Sequence, residues 1–271
     1  MGAVVIKRKT ISVNPDLRIL SQPEGECNCL AMGVKTAIGH VEAIFRYPVK
    51  SMRGEALDTA QLGWHGVEGD RRFAFRRLED RSPFPWLTAG KLAELLLFTP
   101  QRPEGGDLPT HVRLPGGAVL PISGDDLAQD VARRFGAPVQ MGQLKDGIFD
   151  DASISVIASD TVEEIARLSA VPQDARRYRP NLVVRLLQPG PFREDQWLGS
   201  SLSFGEADDS PTVVVTRRDV RCAMVNLDPD TAVAAPQVLK AVVRANDNTA
   251  GVYATVTRIG QLAVGQTIYL A

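Results

Sequence analysis

The stretch TVVVTRRDVRCAMVNLDPDT, residues 212–231, opens with a run of β-branched residues. Side chains of this kind favour an extended, half-buried strand, so TVVVTR (212–217) is predicted to be one. The same preference recurs along the C-terminal half of the chain, which predicts many short strands rather than long helices. The further strand segments are SISVIA (153–158), NLVVRLL (181–187), GVYATVTR (251–258) and QTIYL (266–270).

The N-terminal half shows the same preference for strands. Residues 41–47 alternate in character, RRFAFRRL (71–78) places two phenylalanines on one face, and residues 111–122 predict a hairpin around a glycine turn. The predicted fold is therefore mostly β with short helices (α+β), an N-terminal β-barrel-like module followed by a C-terminal β-barrel. The predicted divisions are an N-terminal extension over 1–37, the first module over 38–135 and the second over 136–271.

Three helices are predicted between the strands. The first follows a Ser123 N-cap and stops at Gly136. The second is capped by Ser159 and runs over residues 161–170, with Ile165 and Leu168 facing inward. The third covers residues 236–246 and begins with a proline.

Composition excludes several classes of protein. The chain has 271 residues with 31 basic and 32 acidic side chains, and this near neutrality excludes a polybasic nucleic-acid binder. No apolar run is long enough for a transmembrane helix, and the first residues do not resemble a secretory signal. Three cysteines are too few for a disulfide framework, so we expect a reduced, cytoplasmic protein without a membrane partner. The pair Cys27 and Cys29 lacks the further ligands that a zinc site needs.

Arginine usage is unusual, with 24 arginines against 7 lysines. A planar guanidinium binds phosphate or carboxylate oxygens in a two-pronged way that an ammonium cannot. Arginine clusters in a neutral protein are therefore consistent with a pocket for one anionic small molecule, although solvated strand faces would give the same pattern. The clusters lie within residues 71–77, 176–179 and 217–221.

Cys222 is the residue whose setting suggests chemistry. It directly follows Arg221, and a nearby cation favours the thiolate, which attacks electrophiles or binds soft metals. The alternative is a buried structural cysteine.

Five segments in order resemble the MOSC-domain family, the C-terminal module of molybdenum cofactor sulfurases, together with its N-terminal β-barrel module. The resemblance covers residues 40–271 and includes similarity to the amidoxime-reducing component. The segments are FRYPVKSMRGEAL (45–57), GVEGDRRFAF (66–75), RRYRPNLVV (176–184), VRCAMVNLDPDT (220–231) and QLAVGQTIYL (261–270).

The resemblance implies a molybdenum cofactor, which is a pterin dithiolene that bears molybdenum and a phosphate. It implies that Cys222 is the protein ligand to molybdenum, a role that suits a soft thiolate. It also implies that a set of polar residues holds the pterin and phosphate. That set is Lys50, Ser51, Arg71, Ser153, Arg179 and Asn181.

The function implied is an oxidoreductase that reduces small N-hydroxylated compounds. Because the chain carries no iron–sulfur cysteine cluster, electrons would come from a separate ferredoxin or flavoprotein reductase. Asp228 would either assist proton delivery or cap the turn at Pro229. The alternatives are a cofactor carrier or sulfur-transfer protein that uses Cys222, and a protein-interaction module that has kept the fold without the cofactor.

Overall fold

The computed structural model describes residues 35–271 except 105 and 107. The prediction for Cys27 and Cys29, and all but the end of the predicted 1–37 extension, lie outside the described residues. Within them, the fold is mostly β with three α-helices, as predicted. The strands are β1 (Thr36–Arg46), β2 (Glu55–Leu57), β3 (Thr59–Gly63), β4 (Gly66–Val67), β5 (Phe73–Arg77), β6 (Thr99–Gln101), β7 (His111–Arg113), β8 (Val119–Pro121), β9 (Val139–Gln143), β10 (Ile154–Ala158), β11 (Leu182–Leu186), β12 (Ser201–Phe204), β13 (Thr212–Val220), β14 (Thr249–Arg258), β15 (Gly260–Ala263) and β16 (Thr267–Leu270).

Seven strands close into a β-barrel in the order β11, β10, β14, β13, β12, β16 and β1, with β1 pairing back to β11. Neighbours are antiparallel except β10 and β11, which run parallel. The barrel is filled by the inward side chains of these strands, including Val41, Val156 and Val252, none of them exposed to solvent. Burying such branched side chains supplies about 25 cal/mol per Å² of apolar surface, which is why the β-branched segments became barrel strands.

The strands of the two predicted modules are interleaved. β1 comes from the predicted first module but forms part of the barrel, and β15 from the second pairs with β3. Most of the rest of the first module has its own core. In it, β5 pairs with β9, which comes from the predicted second module. Strands β6, β7 and β8 form a small meander. The predicted division near residue 135 stays a prediction.

The helices are α1 (Asp125–Phe135), α2 (Ser159–Ser169) and α3 (Gln237–Asn246). Helix α1 ends at Gly136 in the left-handed conformation, as predicted, but Gly124 rather than Ser123 is its N-cap. The prediction for Ser159 is also wrong, because it lies inside α2 and its hydroxyl donates to the carbonyl of Val184. The described residues also contain four short 3₁₀ helices: Ala93–Leu97, Ala175–Tyr178, Arg193–Trp197 and Ala223–Asn226.

Helices α2 and α3 pack together against the outside of the barrel and form a third core. Ile165 faces this core and is fully buried, as predicted. Leu168 does not; it is 45% exposed, so the prediction that it faces inward is wrong.

Candidate functional site

A cavity of about 300 Å³ lies between the segment after β1, the segment before β5 and the barrel strands β10, β13 and β14. Its volume is in the range of small-molecule sites. Residues from both halves of the chain line it, and five of the eight predicted site residues are among them. These five are Lys50, Ser51, Arg71, Arg179 and Cys222.

Three of the lining residues hold their backbone in the left-handed region. Ser51 has φ 66°, Arg71 has φ 49° and Arg179 has φ 50°. A non-glycine residue in this region costs about 1 kcal/mol or more and persists only where the surrounding structure enforces it. Such residues cluster at binding and active sites, and here they aim two guanidinium groups and a hydroxyl at one cavity.

A buried carboxylate, Asp70, fixes one wall of the cavity. Its Oδ1 accepts from the backbone N–H of Tyr47 at 2.6 Å. Its Oδ2 accepts from Arg71 and from Nδ2 of Asn181, the latter at 3.1 Å. Oδ1 of Asn181 in turn accepts from the backbone N–H of Ser155 at 3.1 Å. Asn181 does not line the cavity. Its contacts instead link strand β10, through Asp70, to Arg71, which does.

Arg179 also lines the cavity. Its guanidinium stacks 4.1 Å from the centre of the Tyr47 ring, and Nη1 donates to the carbonyl of Met52 at 2.7 Å. Nη2 is buried without a hydrogen-bond partner among the described residues. Burial lowers the pKa of Arg179 to about 10, opposed by Tyr47 and reinforced by the positive charge of Arg71. An anion bound in the cavity would relieve this unpartnered positive group.

Lys50 is buried but paired. Its Nζ lies 2.7 Å from Oδ1 of Asp150, at the rim of the cavity. Burial lowers the pKa of Lys50, and Asp150 opposes that change. The carboxylate of Asp150 is thus a counter-ion where the resemblance implies a cofactor contact by Lys50.

The thiol of Cys222 is exposed and lines the cavity, which excludes the alternative of a buried structural cysteine. It follows the end of β13 and precedes the 3₁₀ segment Ala223–Asn226. Arg221 does not provide the free cation expected beside it. The guanidinium is buried and held by the carbonyls of Tyr178 and Ala250 and by Asp219, whose Oδ2 lies 2.8 Å from Nη2.

Asp228 lies outside the cavity lining. Its Oδ1 accepts from the N–H of Asp230 and from the N–H and hydroxyl of Thr231, each at 3.0 Å. Its Oδ2 accepts from Arg177 at 2.8 Å. This is the turn-capping alternative, since all of these contacts organise the turn after Cys222.

Ser153 is also outside the cavity lining; it lies just before β10, whose residue Ser155 lines the cavity. The backbone of Ser153 instead packs against Gly66, where a Cβ would come within 2.6 Å of the Ser153 carbonyl oxygen. Sequence reasoning also missed Asp70, Asp150 and Asp219 as site residues, although Asp70 lies next to Arg71 in GVEGDRRFAF and Asp219 lies in the opening stretch 212–231.

Family models match most of the chain. The MOSC domain model matches residues 118–269, and the MOSC N-terminal beta barrel domain model matches residues 38–135. The chain belongs to the MOSC-domain family. This confirms the predicted family, and MOSC domains are associated with binding of the molybdenum cofactor.

Solved structures give weaker similarities. The YUAD protein from Bacillus subtilis is 15% identical with a TM-score of 0.48, over 87% of this chain and 96% of that one. A hypothetical protein is 12% identical with a TM-score of 0.43, over 87% and 69% of the two chains. YiiM from Geobacillus stearothermophilus is 18% identical with a TM-score of 0.34, over 44% and 54%. No curated protein matches the chain. Among the described helices, none has the length and apolar character needed to cross a bilayer.

The lining of the cavity fits a molybdenum cofactor. Among the described residues, five cationic side chains line it against three carboxyl groups, and of these cations only Arg179 has no carboxylate partner and is therefore available to a phosphate. Arg179, whose buried Nη2 has no hydrogen-bond partner among the described residues, and Cys222, a soft metal ligand, both line this cavity. The cations are Lys50, Arg71, Arg177, Arg179 and Arg221, and the carboxyl groups belong to Asp150, Asp151 and Asp219.

Proposed function

We propose that this MOSC protein binds the molybdenum cofactor through Cys222 and reduces small N-hydroxylated compounds with electrons from a separate protein, a ferredoxin or a flavoprotein reductase. The observation that carries the proposal is that the exposed thiol of Cys222 shares one cavity with Lys50, Arg71 and Arg179. When bound, the cofactor would supply a redox centre that exchanges two electrons.

The chain's own residues divide the work of binding. Arg179 and Arg71 are pre-positioned by Tyr47 and Asp70, so little side-chain entropy is lost when they meet a phosphate. Lys50 would break its ion pair with Asp150 and pair with the bound anion instead. Ser51 presents its hydroxyl from a backbone conformation that the fold enforces.

The other face of the cavity is suited to a small substrate. The resemblance to the MOSC-domain family implies other residues in two segments, where this chain has Thr88-Ala-Gly-Lys91 and the pair Val225 and Asn226. Thr88, Gly90 and Val225 all line the cavity. We therefore expect these departures from the family pattern to alter substrate preference rather than cofactor binding.

The metal content of a Cys222→Ala variant tests the role of the thiol. Wild type expressed in a host that makes the cofactor should contain molybdenum, and the variant should lose most of it because the thiolate proposed to bind the metal is gone. Ala223→Ser is a matched control, since this exposed neighbour does not line the cavity. Full molybdenum content in Cys222→Ala would refute the proposed ligand.

A carrier or sulfur-transfer protein is the second candidate, and the exposure of Cys222 favours it because a transferring thiol must be reached by a partner. Incubating loaded protein with a chemical reductant and hydroxylamine separates the two. Formation of ammonia supports the reductase. Release of cofactor to an apo-acceptor without turnover supports the carrier.

A further inference from the structure

Reduction of an N-hydroxylated compound consumes protons, and Asp228, the residue predicted to deliver one, lies outside the cavity. For hydroxylamine the reaction takes two electrons and two protons, breaks the N–O bond and yields ammonia and water. Three carboxyl groups line the cavity among the described residues and are the candidates for a proton source: Asp150, Asp151 and Asp219.

Two of these three carboxyl groups are poorly placed to carry a proton. Asp150 pairs with Lys50 at 2.7 Å, and despite the opposing effect of burial this pair keeps the pKa of Asp150 below its usual range. Asp151 is half exposed and lies 3.3 Å from a guanidinium nitrogen of Arg217. Asp150 is therefore expected to be ionised near neutral pH, and Asp151 is already engaged by Arg217.

Asp219 has a different environment. It is 2% exposed, and its Oδ2 accepts from the hydroxyl of Ser155 at 3.0 Å and lies 2.8 Å from Arg221. Tyr253 and Arg71 face the same carboxyl from β14 and from the cavity wall. Burial raises its pKa to about 6, against the opposing effect of Arg221, so a proton is available to it near neutral pH.

We propose that Asp219 is the catalytic acid that protonates the departing oxygen when this protein reduces an N-hydroxylated compound. This rests on the proposed function. The partner protein supplies both electrons, Asp219 gives one proton to the oxygen that leaves as water, and solvent supplies the second proton and then reprotonates Asp219.

Turnover of hydroxylamine by molybdenum-loaded protein, driven by a chemical reductant, tests the proposal. The acid form is required, so wild-type turnover should be highest below pH about 6 and fall as pH rises through the pKa of Asp219. Asp219→Asn should lower turnover about 100-fold at low pH and abolish this pH dependence, because an amide has no proton to give. Asp208→Asn is the control: this exposed carboxylate pairs with Lys35 and does not line the cavity.

A second readout does not need the cofactor. Infrared difference spectra of the apo-protein, wild type minus Asp219→Asn, should show a protonated carboxyl band that disappears as pH rises through about 6. Absence of this band below pH 6 would overturn the proposal. If Asp219→Asn leaves Arg221 unpaired and does not fold, Asp219→Glu is the test. A glutamate with a different pKa should shift the pH at which turnover falls. An unshifted pH profile would overturn the proposal.

The two proposals fail in different ways. Loaded wild type that produces no ammonia at any pH would refute the reductase itself. Loaded Asp219→Asn that keeps the wild-type rate and pH profile would refute only the role of Asp219.

Discussion

Replacing Asp70 with asparagine tests whether one buried carboxylate holds the cavity wall together. Oδ1 of Asp70 accepts from the N–H of Tyr47, a bond that the amide oxygen of asparagine can keep. Oδ2 accepts from both Arg71 and Asn181, and an amide NH₂ in its place would face two donors. Arg71 would also lose its closest counter-charge.

The magnitude follows from these two lost contacts. Hydrogen bonds to a charged group contribute about 1.5–3 kcal/mol each, and breaking a buried ion pair costs about 3–5 kcal/mol. We therefore expect Asp70→Asn to lower the free energy of unfolding by about 4 kcal/mol, measured by urea denaturation with linear extrapolation.

A double-mutant cycle with Asn181→Asp makes the test specific. Alone, Asn181→Asp would bring a second carboxylate against Asp70 and should cost about 3 kcal/mol. In the double variant the amide of residue 70 can donate to the carboxylate of residue 181, which also faces Arg71. The double variant should therefore be about 2 kcal/mol more stable than the sum of the two single losses predicts. Strict additivity, or a loss below about 1 kcal/mol for Asp70→Asn, would refute the reasoning.

Two further predictions concern charged pairs. Hydrogen bonds from Arg176 and Arg53 lower the pKa of Asp230 to about 2, so its stabilising effect is present above its unfolded pKa of about 4 and is lost as pH falls towards 2. Because the carboxylate is half exposed, Asp230→Ala should lower the free energy of unfolding, measured with urea, by only about 1 kcal/mol at pH about 7 and by less at pH about 3.5. An equal loss at both pH values would contradict this. Asp150→Asn removes the counter-ion of Lys50, so the apo-protein should bind inorganic phosphate about tenfold more tightly at low salt, measured by calorimetry. An unchanged affinity would show that the Lys50–Asp150 pair does not restrict anion binding.

Local sequence predicted the strands well because β-branched runs have few other stable environments. GVYATVTR became β14 and TVVVTR became the first part of β13, both in the barrel wall. Gly136 was also predictable, since a left-handed helix end with φ 83° suits a residue without a Cβ. The serine cap predictions were wrong for different reasons. The N-cap of α1 is the neighbouring Gly124 rather than Ser123. Ser159 is the first residue of α2, and its hydroxyl donates to the carbonyl of Val184 on another strand, a contact that the sequence does not reveal.

The site was predicted only as far as its motifs reach. Motif resemblance located Lys50, Arg71 and Cys222, which line the cavity. It did not identify Asp70 or Asp219, since an isolated aspartate gives no sign that it will be buried. Each has one partner nearby in sequence, Arg71 or Arg221, but its other partners are distant: Asn181 lies 111 residues from Asp70, and Ser155 lies 64 residues from Asp219. Such roles arise from tertiary packing alone.

X-ray absorption at the molybdenum edge, on protein from a cofactor-competent host, probes the metal's sulfur neighbours directly. We expect Cys222→Ser, loaded to a measurable level, to show one sulfur neighbour fewer than wild type. An unchanged sulfur shell would mean that this thiol does not bind the metal, and the central assignment would be wrong.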